Sequence, residues 1–381
     1  MKILQNLFRD GKLQEGELKD LAAIDPQLVL VFGSVAAFSV TEFYSTLRHC
    51  FPGAHLAGCT TAGEIAGDRV FDGSCVVTAL HLSKTPIRLA MARIGAMDQS
   101  FAMGESVGRQ LQSSDLRGVL LFSKGLEVNG SAVIQGLIAG VGDHVPITGG
   151  LAGDSGAFVR TLVIDDSGVC DDGLVGIGFY GDAVRIGYGS QGGWIPFGPM
   201  RRVTRCQGNI LYELDGEPAL NLYKTYLGEY AKDLPASGLL FPFEMLRGDN
   251  SQSGLIRTIL GIDATNGSLT LAGDIDPDGY LRLMRASTDA LVSGAESAAE
   301  ATRRMVAQSS AGLGILVSCV GRKLIMGDNV DEEVEVVVGA LASGTVTTGF
   351  YSYGEISPFS ATSACMLHNQ TMTITFIAEE D

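Results

Sequence analysis

The chain has 381 residues, of which 46% are hydrophobic and 18% charged, and its net charge is −16. That length holds two or three domains, and the apolar content argues against wholesale disorder. With no basic cluster beyond Arg201 and Arg202, the acid excess argues against nucleic acid or an acidic membrane surface as partner.

Residues 1–26 are polar and expected to be partly helical. Met1 to Asp10 lack the apolar core of a signal peptide, and no run of 18 apolar residues marks a membrane span. Leu28–Gly33 is a short apolar run that reads as a buried strand. A helix carrying Phe43, Leu47 and Phe51 follows, with Ser39 or Thr41 as its expected cap, and Pro52-Gly53 stops it. Ala54–Gly58 re-enters the sheet. Gly73–Leu82 and Pro86–Ile94 read as paired strands and Ser100–Leu111 as a helix. Gly118–Ser123 opens a second unit, with a helix at Ser131–Ala139.

Alternating segments at Phe158–Asp165, Gly173–Tyr180 and Ala183–Tyr188, separated by Gly-containing turns, predict hairpins. Arg202–Leu214 reads as a strand pair around Gly208-Asn209. Pro218 sits in the first turn of a helix running to about Lys232. Further strands are expected near 241–246, 255–262, 268–272 and 279–285, then a long helix over Thr288–Gln308. Strand 313–319, a helix over Glu332–Leu341 and a final strand at Gln370–Ile377 complete the pass. The expected fold class is α/β with α+β parts. Two domains, 1–215 and 216–381, are built of related strand–helix–strand units with mixed sheets.

Three of these units end in a glycine-rich, acid-tipped loop. They are Gly58-Cys59-Thr60-Thr61-Ala62-Gly63-Glu64-Ile65, Thr148-Gly149-Gly150-Leu151-Ala152-Gly153-Asp154 and Gly349-Phe350-Tyr351-Ser352-Tyr353-Gly354-Glu355-Ile356. Open α/β sheets bind ligands beyond the C-terminal ends of their strands, so Glu64, Asp154 and Glu355 are expected to converge on a small polar molecule in one cleft. The competing reading is that each acid accepts backbone N–H bonds and pins its own loop. Arg322 follows strand 313–319, where it clamps a ligand carboxylate or pairs with a neighbouring acid. Trp194, Tyr351 and Tyr353 are candidates to line the pocket, with packing as the default. Seven Cys, odd in number and without a CxxC, argue against a disulfide framework or a zinc site and fit a reducing, cytoplasmic setting. Neither a phosphate loop nor a local base beside Cys59 is present, so no enzymatic activity is expected.

The three loops, Glu213-Leu214-Asp215-Gly216-Glu217-Pro218-Ala219, and His368-Asn369-Gln370-Thr371 together resemble the FIST family, which pairs an N-terminal with a C-terminal FIST domain. The resemblance covers nearly the whole chain. It implies a cytosolic sensor of small ligands, and the chain is similar to stand-alone bacterial members that bind haem, sense nitric oxide and regulate a histidine kinase. On that reading the haem is non-covalent, since no CxxCH exists, and His368 is the first choice for its iron, ahead of His49, His55, His81, His144, Cys59 and Cys319. Asn369 joins the ligand-binding set. The alternative is a sensory module for a small metabolite such as an amino acid, without haem.

Overall fold

The computed structural model describes residues 1–249, 252–306, 311–359 and 363–380. Its first half contains strands β1 (Lys2–Phe8), β2 (Leu28–Gly33), β3 (His55–Thr60), β4 (Glu64–Ala66), β5 (Arg69–Phe71), β6 (Cys75–His81), β7 (Ile87–Arg93), β8 (Leu116–Ser123), β9 (Ile147–Leu151), β10 (Val163–Asp165), β11 (Gly168–Cys170), β12 (Gly173–Tyr180) and β13 (Val184–Gln191). Helices α1 (Glu15–Ala22), α2 (Val35–Phe38), α3 (Phe43–Cys50), α4 (Ser100–Leu111) and α5 (Gly130–Val141) lie between them.

The chain then leaves for a separate sheet. It is made of β14 (Ile195–Gln207), β15 (Ile210–Leu214), β16 (Glu217–Pro218), β17 (Phe243–Leu246), β18 (Gln252–Arg257), β19 (Ile259–Asp263), β20 (Ser268–Leu271) and β21 (Tyr280–Arg285), with helix α6 (Ala219–Leu227). This insert has its own core around Leu211, Tyr223, Phe243 and Leu269. The chain returns through α7 (Thr288–Met305), β22 (Leu313–Cys319), α8 (Val320–Met326), α9 (Asp331–Ala340), β23 (Val346–Ser352), β24 (Gly354–Pro358), β25 (Cys365–His368) and β26 (Met372–Glu379). The expected end of the long helix at Gln308 lies outside the described residues.

Three sheets outside the insert share one plan. Their orders are β1-β6-β2-β3-β10-β11, β7-β12-β8-β9-β24-β25 and β13-β26-β22-β23-β4-β5. In each, the two middle strands are parallel and every other neighbour is antiparallel. Each outer hairpin comes from a different unit than the strands it joins. β4–β5, which begins at Glu64, pairs with β23; β10–β11, which follows Asp154, pairs with β3; β24–β25, which contains Glu355, pairs with β9. Three repeats thus exchange hairpins in a ring.

The expected boundary at residue 215 falls inside the insert, where Leu214 of β15 pairs with Glu217 of β16. The third sheet takes β4, β5 and β13 from before that residue and β22, β23 and β26 from after it.

Apolar periodicity explains the layering. On β2, Leu28, Leu30 and Phe32 face a core shared with Leu120 and Phe122 of β8 and Leu313, Ile315 and Val317 of β22, while Val29 and Val31 pack outward beneath α1 and α3. Both faces are buried, which is why these strands read as unbroken apolar runs. Phe32, Phe122 and Phe350, one from each unit, meet with ring centroids 4.8–6.0 Å apart. Helices α4 and α5 cover the second sheet and α7 and α9 the third.

Three local expectations need correction. Residues 2–8 form an edge strand on β6, because their alternation is completed by a neighbour far away in sequence. Helix α3 starts at Phe43 after Glu42, without a side-chain cap, so neither Ser39 nor Thr41 caps it. Helix α6 ends at Leu227 and continues as short 3-10 turns.

Candidate functional site

Each unit turns at a glycine. A Cβ on Gly58, Gly149 or Gly349 would lie 1.9, 2.0 or 1.9 Å from the carbonyl oxygen of Val31, Leu121 or Leu316 on the adjacent parallel strand. No side chain fits such an approach. Beyond the glycine the chain bends through a small-residue corner to the acid.

Glu64 and Glu355 occupy equivalent places and are buried, at 1% and 0% exposure. Thr61 donates its hydroxyl to one oxygen of Glu64, and Ser74 donates N–H and O–H to the other at 3.0 and 2.7 Å. Ser352 donates to one oxygen of Glu355 at 2.8 Å, and Thr371 donates N–H and O–H to the other at 3.1 and 3.0 Å. Burial raises both pKa values, that of Glu355 to about 8, against the lowering effect of these bonds. Asp154 accepts the amides of Phe158, Val159 and Arg160 at 2.7–2.8 Å and the phenol of Tyr353.

The three corners do meet. Ala62 N–H donates to Tyr351, Tyr351 N–H to Gly63, and Gly153 N–H to Thr60. Yet their acids face inward and are committed to loop donors, so the expectation of three carboxylates offered to one ligand is corrected in favour of loop pinning.

Arg322 is likewise turned inward. Its guanidinium donates to Glu333 from Nε and Nη2 at 3.0 and 2.6 Å and to the carbonyls of Leu291 and Gly192, with both charged side chains wholly buried. Ser318 and Tyr351 donate to the other Glu333 oxygen at 2.9 and 2.6 Å. Tyr351 is fully buried in this network and is no pocket wall. Trp194 donates to the Gln370 carbonyl at 2.8 Å, fastening the insert to the third unit.

One unit breaks the pattern. After β2, Ser34 caps α2 directly, and after β22 helix α8 begins at Val320. After β8, segment 124–129 intervenes before α5, and Asn129 caps that helix by accepting from Ala132 at 3.0 Å. Clefts open on both sides of this segment.

The first, about 220 Å³, is walled by segment 125–130, by Asn209 and residues 270–274 of the insert, and by Tyr353 and Leu367 of the third unit. Beneath it Arg257, 4% exposed, donates to the carbonyls of Ile256, Asp274 and Leu367, and burial lowers its pKa to about 10. The second cleft is wider, about 590 Å³, and contains Lys124, Phe158, Val159 and Arg160. Sequence reasoning missed Glu333, Lys124 and Arg257. The signal was there for Lys124, a cation closing an apolar strand.

Residues 27–217 match the FIST N domain and residues 219–358 the FIST C domain. The chain belongs to the FIST family. FIST domains are sensory, ligand-binding domains of signal transduction. Over 243 residues, 61% of the chain, it is 36% identical to the uncharacterized protein MJ1623 of Methanocaldococcus jannaschii, and the match spans 46% of that protein. A crystal structure of a cyanuric acid hydrolase from A. caulinodans aligns over 100% of this chain and 99% of that one. The identity is 10% and the TM-score 0.36, too low to carry an inference about activity.

For this FIST chain the haem expectation can be tested on His368. The ring is 1% exposed, and Nε2 lies 2.7 Å from the carbonyl oxygen of Ser357. A carbonyl only accepts, so Nε2 carries the proton and Nδ1 is the bare nitrogen. Among the described residues Nδ1 is buried without a partner, as is Oδ1 of Asn369. Burial lowers the His368 pKa to about 4, which keeps the ring neutral. Neutrality suits a metal ligand, but an axial ligand also needs open space above its donor atom for the porphyrin. Phe359 stands edge-on with its centroid 4.3 Å from that of His368, and the ring borders neither cleft. These residues do not fit haem.

Proposed function

We propose that this FIST protein is a sensory module for a small metabolite, bound without haem in the cleft between segment 125–130 and the insert. The observation that carries the reading is the composition of the cleft wall. It draws on the second unit, the insert and the third unit, at the one corner where the threefold plan is broken. Departures from an otherwise consistent plan tend to mark functional sites. A ligand touching three pieces of chain biases their mutual arrangement, and a sensor needs that differential contact.

The receiver of the signal, on this proposal, is a histidine kinase or another signalling protein, and the chain acts by binding rather than by turnover. A thermal-shift screen of amino acids, organic acids and haemin tests the reading. We expect a shift with a small metabolite, abolished in Ala272→Trp, which fills the cleft. A shift with haemin alone contradicts it.

A further inference from the structure

The second cleft carries a chemical signature of its own. Lys124 sits at the C-terminal end of β8, is 7% exposed and lines the cleft. Among the described residues its ammonium makes one long contact, 3.4 Å, to the carbonyl oxygen of Ile94. The other cations at the corners, buried Arg322 and half-buried Lys323, have fuller sets of partners. Arg322 has Glu333, and the Lys323 ammonium donates to the Ala62 carbonyl at 2.9 Å and pairs with Asp72. A buried ammonium with so little compensation is costly, and an arriving anion removes that cost.

Loop 154–161 lines the same cleft and is built to hold a fixed shape. Asp154 accepts three successive amides, and the Tyr353 ring stacks on Phe158 with centroids 4.3 Å apart. Ser155 and Phe158 adopt φ of 60° and 54°, a conformation that costs a bulky residue on the order of 1 kcal/mol or more. The loop leaves Val159 80% exposed and places Phe158, Val159 and Arg160 on the cleft wall. Glu127, Asp171 and Asp172 also line the cleft; Glu127 and Asp171 are exposed, and Asp172 faces Arg93 at 3.6 Å. Among the described residues, none of the three forms an ion pair with Lys124.

We propose that this cleft binds a small organic carboxylate with a short apolar chain. The carboxylate takes the Lys124 ammonium, Arg160 adds a second cation, and the apolar chain lies on Phe158 and Val159. The inference rests on the sensory reading only in treating segment 124–129 as functional.

The probes are 4-methylpentanoate, leucine and inorganic phosphate, titrated calorimetrically into the full chain. We expect 4-methylpentanoate to bind, phosphate to bind at least tenfold more weakly, and Lys124→Met to weaken 4-methylpentanoate at least tenfold. Lys124→Met is also expected to melt higher than the parent chain without ligand, because it removes the uncompensated charge. Val159→Asp, at an exposed position that does not endanger folding, is expected to weaken 4-methylpentanoate severalfold. Tighter binding of leucine would add the rim acids as partners for its ammonium and still support the carboxylate site.

Unchanged binding in both variants, no binding of either carboxylate to the parent chain, or a lower melting point in Lys124→Met would each overturn the proposal. Ala272→Trp separates the two readings. Loss of 4-methylpentanoate there but not in Lys124→Met refutes the Lys124 site and leaves the first cleft standing.

Discussion

Replacing Glu333 by Gln tests whether Arg322 is a structural tie or a ligand clamp. The substitution keeps shape and volume but leaves the guanidinium charge without its counter-ion, at a place where both side chains are 0% exposed. Breaking one partner of a buried pair costs about 3–5 kcal/mol, because the other charge stays desolvated. The network raises the stakes, since Arg322 also holds the Leu291 and Gly192 carbonyls and thereby joins α7 and the entry to the insert to α8. In urea, with a slope of about 3 kcal/mol/M, the midpoint falls by roughly 1–1.7 M. The double variant Arg322→Met with Glu333→Leu recovers part of this loss, because no unpaired charge is left buried. Recovery stays incomplete because the hydroxyls of Ser318 and Tyr351 lose their acceptor, about 1–3 kcal/mol for each if left unpaired. Equilibrium unfolding of Arg322→Met, Glu333→Leu and the double variant, read as a double-mutant cycle, supplies the coupling energy. A cost under about 1 kcal/mol for Glu333→Gln would refute the reasoning. So would an Arg322→Met variant of full stability that had lost ligand binding.

Three further outcomes follow from the same geometry. Gly349→Ala places a methyl group 1.9 Å from the Leu316 carbonyl, so a loss of about 3 kcal/mol or more and a fall in soluble yield are expected. A normal melting curve for that variant would show that the strands do not approach as described. The folded-state pKa of Glu355, about 8 against an ordinary 4.5, means that the folded chain holds a proton the unfolded chain has released. Stability from this group is therefore full below about pH 4.5 and lost as pH rises through about 8. His368, with a folded pKa of about 4 against 6.5, acts oppositely below pH 6.5, so melting curves from pH 6.5 to 9, compared with those of Glu355→Gln, read the Glu355 contribution. Glu355→Gln flattens that part of the profile, and an unchanged slope would contradict the assignment. Haemin titration gives no saturable Soret band, whereas a one-to-one band lost in His368→Ala would restore the haem reading.

Much of the scaffold was legible because local chemistry and long-range packing agree. Apolar runs at 28–33, 118–123 and 313–319 are the buried first strands, and Gly58, Gly149 and Gly349 recur because the neighbouring carbonyl leaves no room for a side chain. The ring of exchanged hairpins was not legible. Residues 64–71 pair with each other whichever sheet they join, and their docking on β23 is set by contacts some 280 residues away in sequence, such as Thr347 with Gly67. The acids were found, but a motif shows residue type and not the direction of a carboxylate. Only Thr61 with Ser74 and Ser352 with Thr371 reveal that Glu64 and Glu355 point into their own loops. The Glu333 partner of Arg322 lies on a different helix and falls in no shared motif. The clefts emerge from an insertion length, 124–129, whose meaning depends on comparison with the two units that lack it.

Hydrogen exchange of the full chain, with and without the compound giving the largest thermal shift in the screen, tests the central claim most directly. Slowed exchange concentrated in peptides covering 124–130 and 270–274 is the predicted result. Protection confined to the corners at Glu64 and Glu355 or to the strand ending at His368, with 124–130 unchanged, would contradict it.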